Sequence, residues 1–200
     1  MPRRGSINTI SIRKKINKGL DNKGPQNQLY KKVYAKFLIK KQQLISDFEN
    51  HSVTREIKQG PSSSNISGTL GGYGNLYSFI GFDGGDPTGR VSQALNSGVR
   101  LIRIPQKIKR GKSVIYSYTV KFPSIQELAI VAPMPWEPGN WVDRIERGIS
   151  GLGSYIYRMG ISSSRSGTGV QSKGKVRTAT YQRTSYMSAI FATFRKGWTL

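Results

Sequence analysis

From Gln26 to Asn50 the apolar positions keep a helical step. Leu29, Val33, Phe37, Leu44 and Phe48 mostly recur every fourth residue, and Tyr30, Tyr34, Leu38 and Ile45 widen the stripe. Lys31, Lys32, Lys36, Lys40 and Lys41 fill much of the remainder. A period of about 3.6 held for about six turns predicts a long amphipathic helix with one buried and one basic face. Further on the period changes to two. Val114, Tyr116, Tyr118 and Val120 alternate with Ile115, Ser117, Thr119 and Lys121, and Val99, Leu101, Ile102 and Ile104 lie between arginines. The segment KIKRGK joins the two runs, and its Gly111 allows a turn, which predicts an antiparallel hairpin with a basic tip.

Shorter signals complete the pattern. SVTREIKQGP reads as a short helix capped by Ser52 and stopped by Gly60 and Pro61. Ser124 with Glu127 fits a capping box opening another. In TSYMSAIFATFRKGW, Tyr186, Met187, Ile190, Phe191 and Phe194 form an apolar helical face; Thr184 or Ser185 caps it and Gly197 ends it. WVDRIERGISGLG stays open: Trp141, Ile145 and Ile149 suit a helix, while the glycines after Arg147 suit a strand ending in a loop. APMPWEPGNW is a proline-stiffened connector whose Trp136 and Trp141 suit either a core plug or a subunit contact. The stretch around Arg165, Lys173 and Lys175 is rich in glycine, serine and base, and reads as an exposed loop or hairpin available to another molecule.

Composition adds a tail and a field. The chain of 200 residues holds 32 Lys and Arg against 10 Asp and Glu, for a net charge of +22. Arg3, Arg4, Arg13, Lys14 and Lys15 crowd the first 24 residues, where little can be buried, so 1–24 is expected to be a basic flexible arm. The remainder, 25–200, reads as a single α+β domain: long amphipathic helix, small antiparallel sheet and C-terminal helix, with long loops near 60–75 and 162–177. There is no cysteine, which removes disulfides and thiolate chemistry. No apolar run reaches the ~18 residues of a membrane span and no secretion-like segment opens the chain, so a cytosolic setting without a membrane partner is expected. The positive field attracts nucleic acid or acidic protein and opposes contact between bare identical subunits. Lys107, Lys109, Arg110 and Lys112 on the hairpin, with nearby tyrosines, could track a nucleic-acid backbone; the alternative is a strand tip solvated or set against an acidic neighbour.

Catalytic patterns are tested and rejected. SGTLGGYGNLYSFIGFDGGD is glycine-rich, but Gly74 is followed by Asn75-Leu76-Tyr77 instead of the Lys-Ser/Thr of a phosphate loop, and its glycines miss the dinucleotide spacing. Its Leu76, Phe79, Ile80 and Phe82 predict a short buried element between glycine turns, with Asp83 and Asp86 as turn formers. The lone histidine, His51, is read as supporting a helix end. No nucleophile elbow or zinc-helix spacing is present. No enzyme, catalytic residue, metal or cofactor is expected.

The stretches LYKKVYAKFLIKKQQLISDFENHSVTREIKQGP, SGTLGGYGNLYSFIGFDGGDP and VAPMPWEPGNWVDRIERGISGLGSYIY resemble structural proteins of long contractile-tailed phages of the marine type. More distantly the chain resembles neck, or tail-completion, proteins of the head-tail junction, with Gly74-Asn75-Leu76, Trp141 through Glu146-Arg147-Gly148, and Tyr186 to Phe194 as the matching pieces. The proline-tryptophan connector and the Ser162 to Arg177 loop depart from that pattern. The resemblance implies a virion subunit made in the host cytoplasm: a homo-oligomeric ring, hexameric or dodecameric, joining the head connector to the tail. Its partners would be other connector, neck and tail proteins, and packaged DNA. Candidate ring contacts are then Gly74, Asn75, Leu76, Trp136, Trp141, Arg165, Lys173 and Lys175. The basic residues Arg3, Arg4, Arg13, Lys14, Lys15, Lys107, Lys109, Arg110 and Lys112 would meet DNA or acidic neighbours. A tail terminator, another tail or baseplate subunit, and a free nucleic-acid-binding module are the alternatives.

Overall fold

Helix α1 (Lys23–Asn50) runs 28 residues, a span of about 42 Å at about 1.5 Å per residue. It buries Val33, Phe37, Leu44 and Phe48, the stripe its sequence predicts, and each such side chain contributes about 1.5–3 kcal/mol on full burial. The buried face is narrower than the pattern implies, since Tyr34 and Leu38 remain exposed. The computed structural model describes residues 9–17, 23–70, 74–135, 138–147, 154–157, 169–172, 185–196 and 198.

Around α1 the order is β1 (Thr9–Asn17), α1, α2 (Ser52–Lys58), α3 (Leu76–Ile80), α4 (Pro87–Gly98), β2 (Arg100–Arg110), β3 (Ser113–Lys121), α5 (Ile125–Val131), α6 (Trp141–Arg147), β4 (Ser154–Tyr157), β5 (Gly169–Ser172) and α7 (Met187–Lys196). The fold is α+β. One antiparallel sheet has the order β1-β3-β2, and β4 and β5 form a separate two-stranded antiparallel pair. Part of the 162–177 segment is therefore strand rather than loop. Among the described residues no helix is long and apolar enough to cross a membrane.

The flexible-arm expectation is corrected over Thr9–Asn17, which pairs with β3 from Thr9 opposite Lys121 to Asn17 opposite Ser113. The backbone of this cationic stretch is satisfied by a strand about a hundred residues away, a partner no local pattern discloses. The hairpin expectation matches the structure: β2 and β3 meet across Gly111 and Lys112, with Gly111 at a φ of 55°, which glycine adopts without a Cβ clash. Between Ile104 and Ile108 the register shifts around Pro105, a residue that cannot donate to a ladder.

One layer of helices covers one sheet face. Tyr30 of α1 lies 6.1 Å from Tyr118 between ring centroids, and Phe122, just past β3, packs at 4.8 Å on Phe191 and 5.4 Å on Phe194 of α7. Val114, Tyr116, Tyr118 and Val120 are buried in this core. Local caps shape the helices. Asn140 Oδ1 accepts from Val142 N at 2.8 Å to start α6, which decides the open reading for helix over Trp141–Arg147; Ile149 and the glycines after Arg147 lie outside the described residues. The Ser124–Glu127 capping box opens α5 as the sequence predicts. Helix α4 has no counterpart in the sequence reading: Asp86, taken there as a turn former, is its cap, with Oδ1 accepting from Thr88 N at 2.9 Å and Gly89 N at 3.2 Å.

Candidate interaction surface

Two carboxylates organise the residues that carry the sequence resemblance. Glu56, fully buried, accepts from Ser67 N and from Leu76 N, both at 2.7 Å. Charge-assisted bonds of this kind are roughly twice as strong as neutral ones, so Glu56 ties both ends of the glycine loop to α2. Asn75 then caps α3 through Ser78 N at 2.9 Å and donates from Nδ2 to Pro61 O at 2.8 Å and Ser63 O at 3.0 Å. The glycines build a turn: Gly74 has a φ of 67°, and Gly81, at 86°, ends α3.

Glu146 does the same work at α7. Its Oε2 accepts from Tyr186 N at 3.0 Å and Ser188 N at 3.3 Å, and its Oε1 accepts from the Ser188 hydroxyl. Tyr186 is fully buried, shares a 2.6 Å hydrogen bond with Thr54 Oγ1, and stacks against Trp141 at 6.5 Å. Burial raises its phenol pKa well above the ordinary value, opposed by the Thr54 bond. Trp141 in turn meets Phe82 edge-on at 6.1 Å. The segments around Gly74-Asn75-Leu76, Trp141–Glu146 and Tyr186–Phe194 thus converge in the interior.

That convergence corrects three ring-contact candidates. Asn75, Leu76 and Trp141 are 6%, 0% and 1% exposed; they hold this chain together and offer no surface to a neighbour. Gly74 is exposed. Trp136, Arg165, Lys173 and Lys175 lie outside the described residues, as do Arg3 and Arg4.

His51 caps α2, the role assigned from sequence to Ser52. Its Nδ1 accepts from Val53 N at 3.3 Å while its ring sits 4.8 Å from Tyr186. Burial lowers its pKa, and Glu146 acts in the opposite direction. A groove of about 360 Å³ between α1 and α4 has Glu49 and Asp86 in its wall. Both are engaged, Glu49 Oε1 accepting from Ser92 Oγ at 3.1 Å and Asp86 capping α4. Among the described residues no group of three or more His, Cys, Asp or Glu stands close enough to hold a metal ion.

The sheet face turned away from the helices is different. Register puts Lys15, Ile115 and Ile108 in one row, Arg13, Ser117 and Ile104 in the next, and Ile102 beside Thr119 in a third. Ile102 and Ile108 are 44% and 47% exposed, and Arg13 and Lys15 are exposed. Residues 9–17 and 100–121 contain no Asp or Glu. At one end, Lys121 and Arg100 help lower the pKa of Glu127 on α5, after its larger bonds to Ser124.

Of the hairpin cations, Lys109 and Lys112 are exposed; the side chains of Lys107 and Arg110, and of Lys14 on β1, lie outside the described ones. The tyrosines expected to accompany them on nucleic acid, Tyr116 and Tyr118, are buried on the helix side. Plain alternation already puts Ile102, Ile104 and Ile108 on one face; the column was missed because Val99 and Leu101 make the other face of the same run apolar too, so β2 shows no clear alternation. No protein-family model, curated protein or solved structure matches the chain.

Proposed function

We propose that this chain is a virion structural protein of a tailed phage: a neck, or tail-completion, subunit forming a ring at the head-tail junction. The observation that carries the docking role is the acid-free sheet face, with Ile102 and Ile108 of β2 partly in solvent across β3 from Arg13 and Lys15. Contiguous apolar surface rimmed by charge is characteristic of protein contacts. The sequence resemblance supplies the assembly in which that docking takes place. A closed ring needs two different patches on each subunit; Asn75, Leu76 and Trp141, being interior, supply neither, and the sheet face is the surface on which a different protein of the junction docks. A tail terminator or other tail subunit would use the same face.

A nucleic-acid-binding module is the second reading, favoured by the cations of the sheet and weakened by the burial of Tyr116 and Tyr118. The test is the solution mass of the purified protein at moderate and high salt, with and without duplex DNA. The neck reading expects a discrete oligomer, formed alone or on addition of the cognate connector, that persists as salt rises. A species that forms only with DNA and disappears with salt, through loss of counterion release, overturns it.

A further inference from the structure

The outer sheet face is asymmetric across its width. Ile102, Ile104 and Ile108 run along β2, Arg13 and Lys15 stand on β1, and between them β3 presents Ile115, Ser117 and Thr119. Ser117, 7% exposed, lies low between its longer neighbours, and Ile115 is half-buried beside Ile108. The two edge strands are separated by two ladder spacings, about 9.6 Å, so a helix of about 10–12 Å diameter laid along the face touches the side chains of both. The face is a shallow trough with an apolar wall and a cationic wall.

We infer that this trough receives an amphipathic helix from another protein, carrying acidic residues along one flank and apolar residues along the adjoining flank. Charge complementarity sets the sign. The walls bring cations without a single acid from the three strands, so a second copy of this chain, itself at +22, is repelled. The apolar wall argues against nucleic acid, because β-branched side chains offer bases no ring to stack on. Helix-in-groove recognition reads apolar anchors at helical spacing, and the column from Ile102 to Ile108 supplies the matching surface. This partner rests on the docking reading above.

The test titrates the full-length protein, at physiological salt, with a labelled helical peptide of about five turns bearing Glu and Leu on adjoining flanks. A scrambled peptide of identical composition and a duplex DNA of equal charge serve as probes of bulk attraction. The patterned peptide is expected to bind at least tenfold more tightly than the scrambled one. Ile102→Ser with Ile108→Ser, and separately Arg13→Glu with Lys15→Glu, should each weaken it at least tenfold while circular dichroism and the urea midpoint stay near wild type. Equal binding of the two peptides, or insensitivity to both pairs of substitutions, overturns the inference. So does duplex DNA that binds more tightly than the patterned peptide and ignores the isoleucine changes. A protein that captures the peptide yet stays monomeric even with the cognate connector sinks the ring and leaves the trough; a ring that does not capture it does the reverse.

Discussion

On the helical side of the molecule Glu56, Asp86, Glu127 and Glu146 each accept at least one backbone N–H, whereas strands β1 to β3 contain no carboxylate at all. The contrast follows from backbone accounting. Helix starts and irregular loops leave N–H groups without partners, and an anion at a helix N-terminus satisfies them and is favoured by the helix dipole. In a ladder the N–H groups between strands are satisfied by the neighbouring strand, and those on the outer edges of β1 and β2 face water, so acids on the sheet would only neutralise its field. These four acids are taken up by the chain's own backbone, while Arg13, Lys15, Lys109 and Lys112 of the sheet stay exposed.

The hardest blow to that division is Glu56→Ala. It strands two N–H groups inside the protein, and with each bond to a charged acceptor contributing about 1.5–3 kcal/mol, urea unfolding should register a loss of about 3 kcal/mol or more. Glu146→Ala, at a less enclosed cap, should cost about 1–2 kcal/mol by the same measurement. His51 sharpens the picture through pH. Because its pKa is lowered by folding, the unfolded chain binds the proton more readily. The stability due to neutral His51 is therefore complete above its ordinary value of 6.5 and is lost as pH falls below it toward the lower folded value. His51→Asn keeps a capping side chain and should remove that part of the slope between urea midpoints taken at about pH 7.5 and about pH 5.5. Ile102→Ser and Ile108→Ser, on the open face, should each move stability by no more than about 0.5 kcal/mol; a larger loss would mean that the face is packed rather than free.

Local signals made part of this legible. The stripe through Val33, Phe37, Leu44 and Phe48 predicts α1, the alternation of Val114 to Lys121 predicts β3, and Ser124 with Glu127 predicts the start of α5. What escaped depends on distance along the chain. β1 looks like a free arm because its ladder partner is β3, and Glu146 gives no sign of capping a helix some forty residues later. Helix α4 had its start signal, Asp86 before Pro87, but its buried stripe is only Thr88, Val91 and Leu95, too thin to stand out among the flanking glycines. Trp141 was readable as core or contact; only the packing of Phe82 and Tyr186 against it decides for core.

The edge position of β1 has a colloidal consequence. An open strand edge is a template for pairing with another copy, and here the exposed Arg13 and Lys15 would confront their own kind on a second molecule. That repulsion acts over about 10 Å at 0.1 M salt but only about 3 Å at 1 M. Concentrated stocks of this protein should accordingly keep best in dilute buffer, and added salt, the usual remedy for a sticky basic protein, should hasten their clouding.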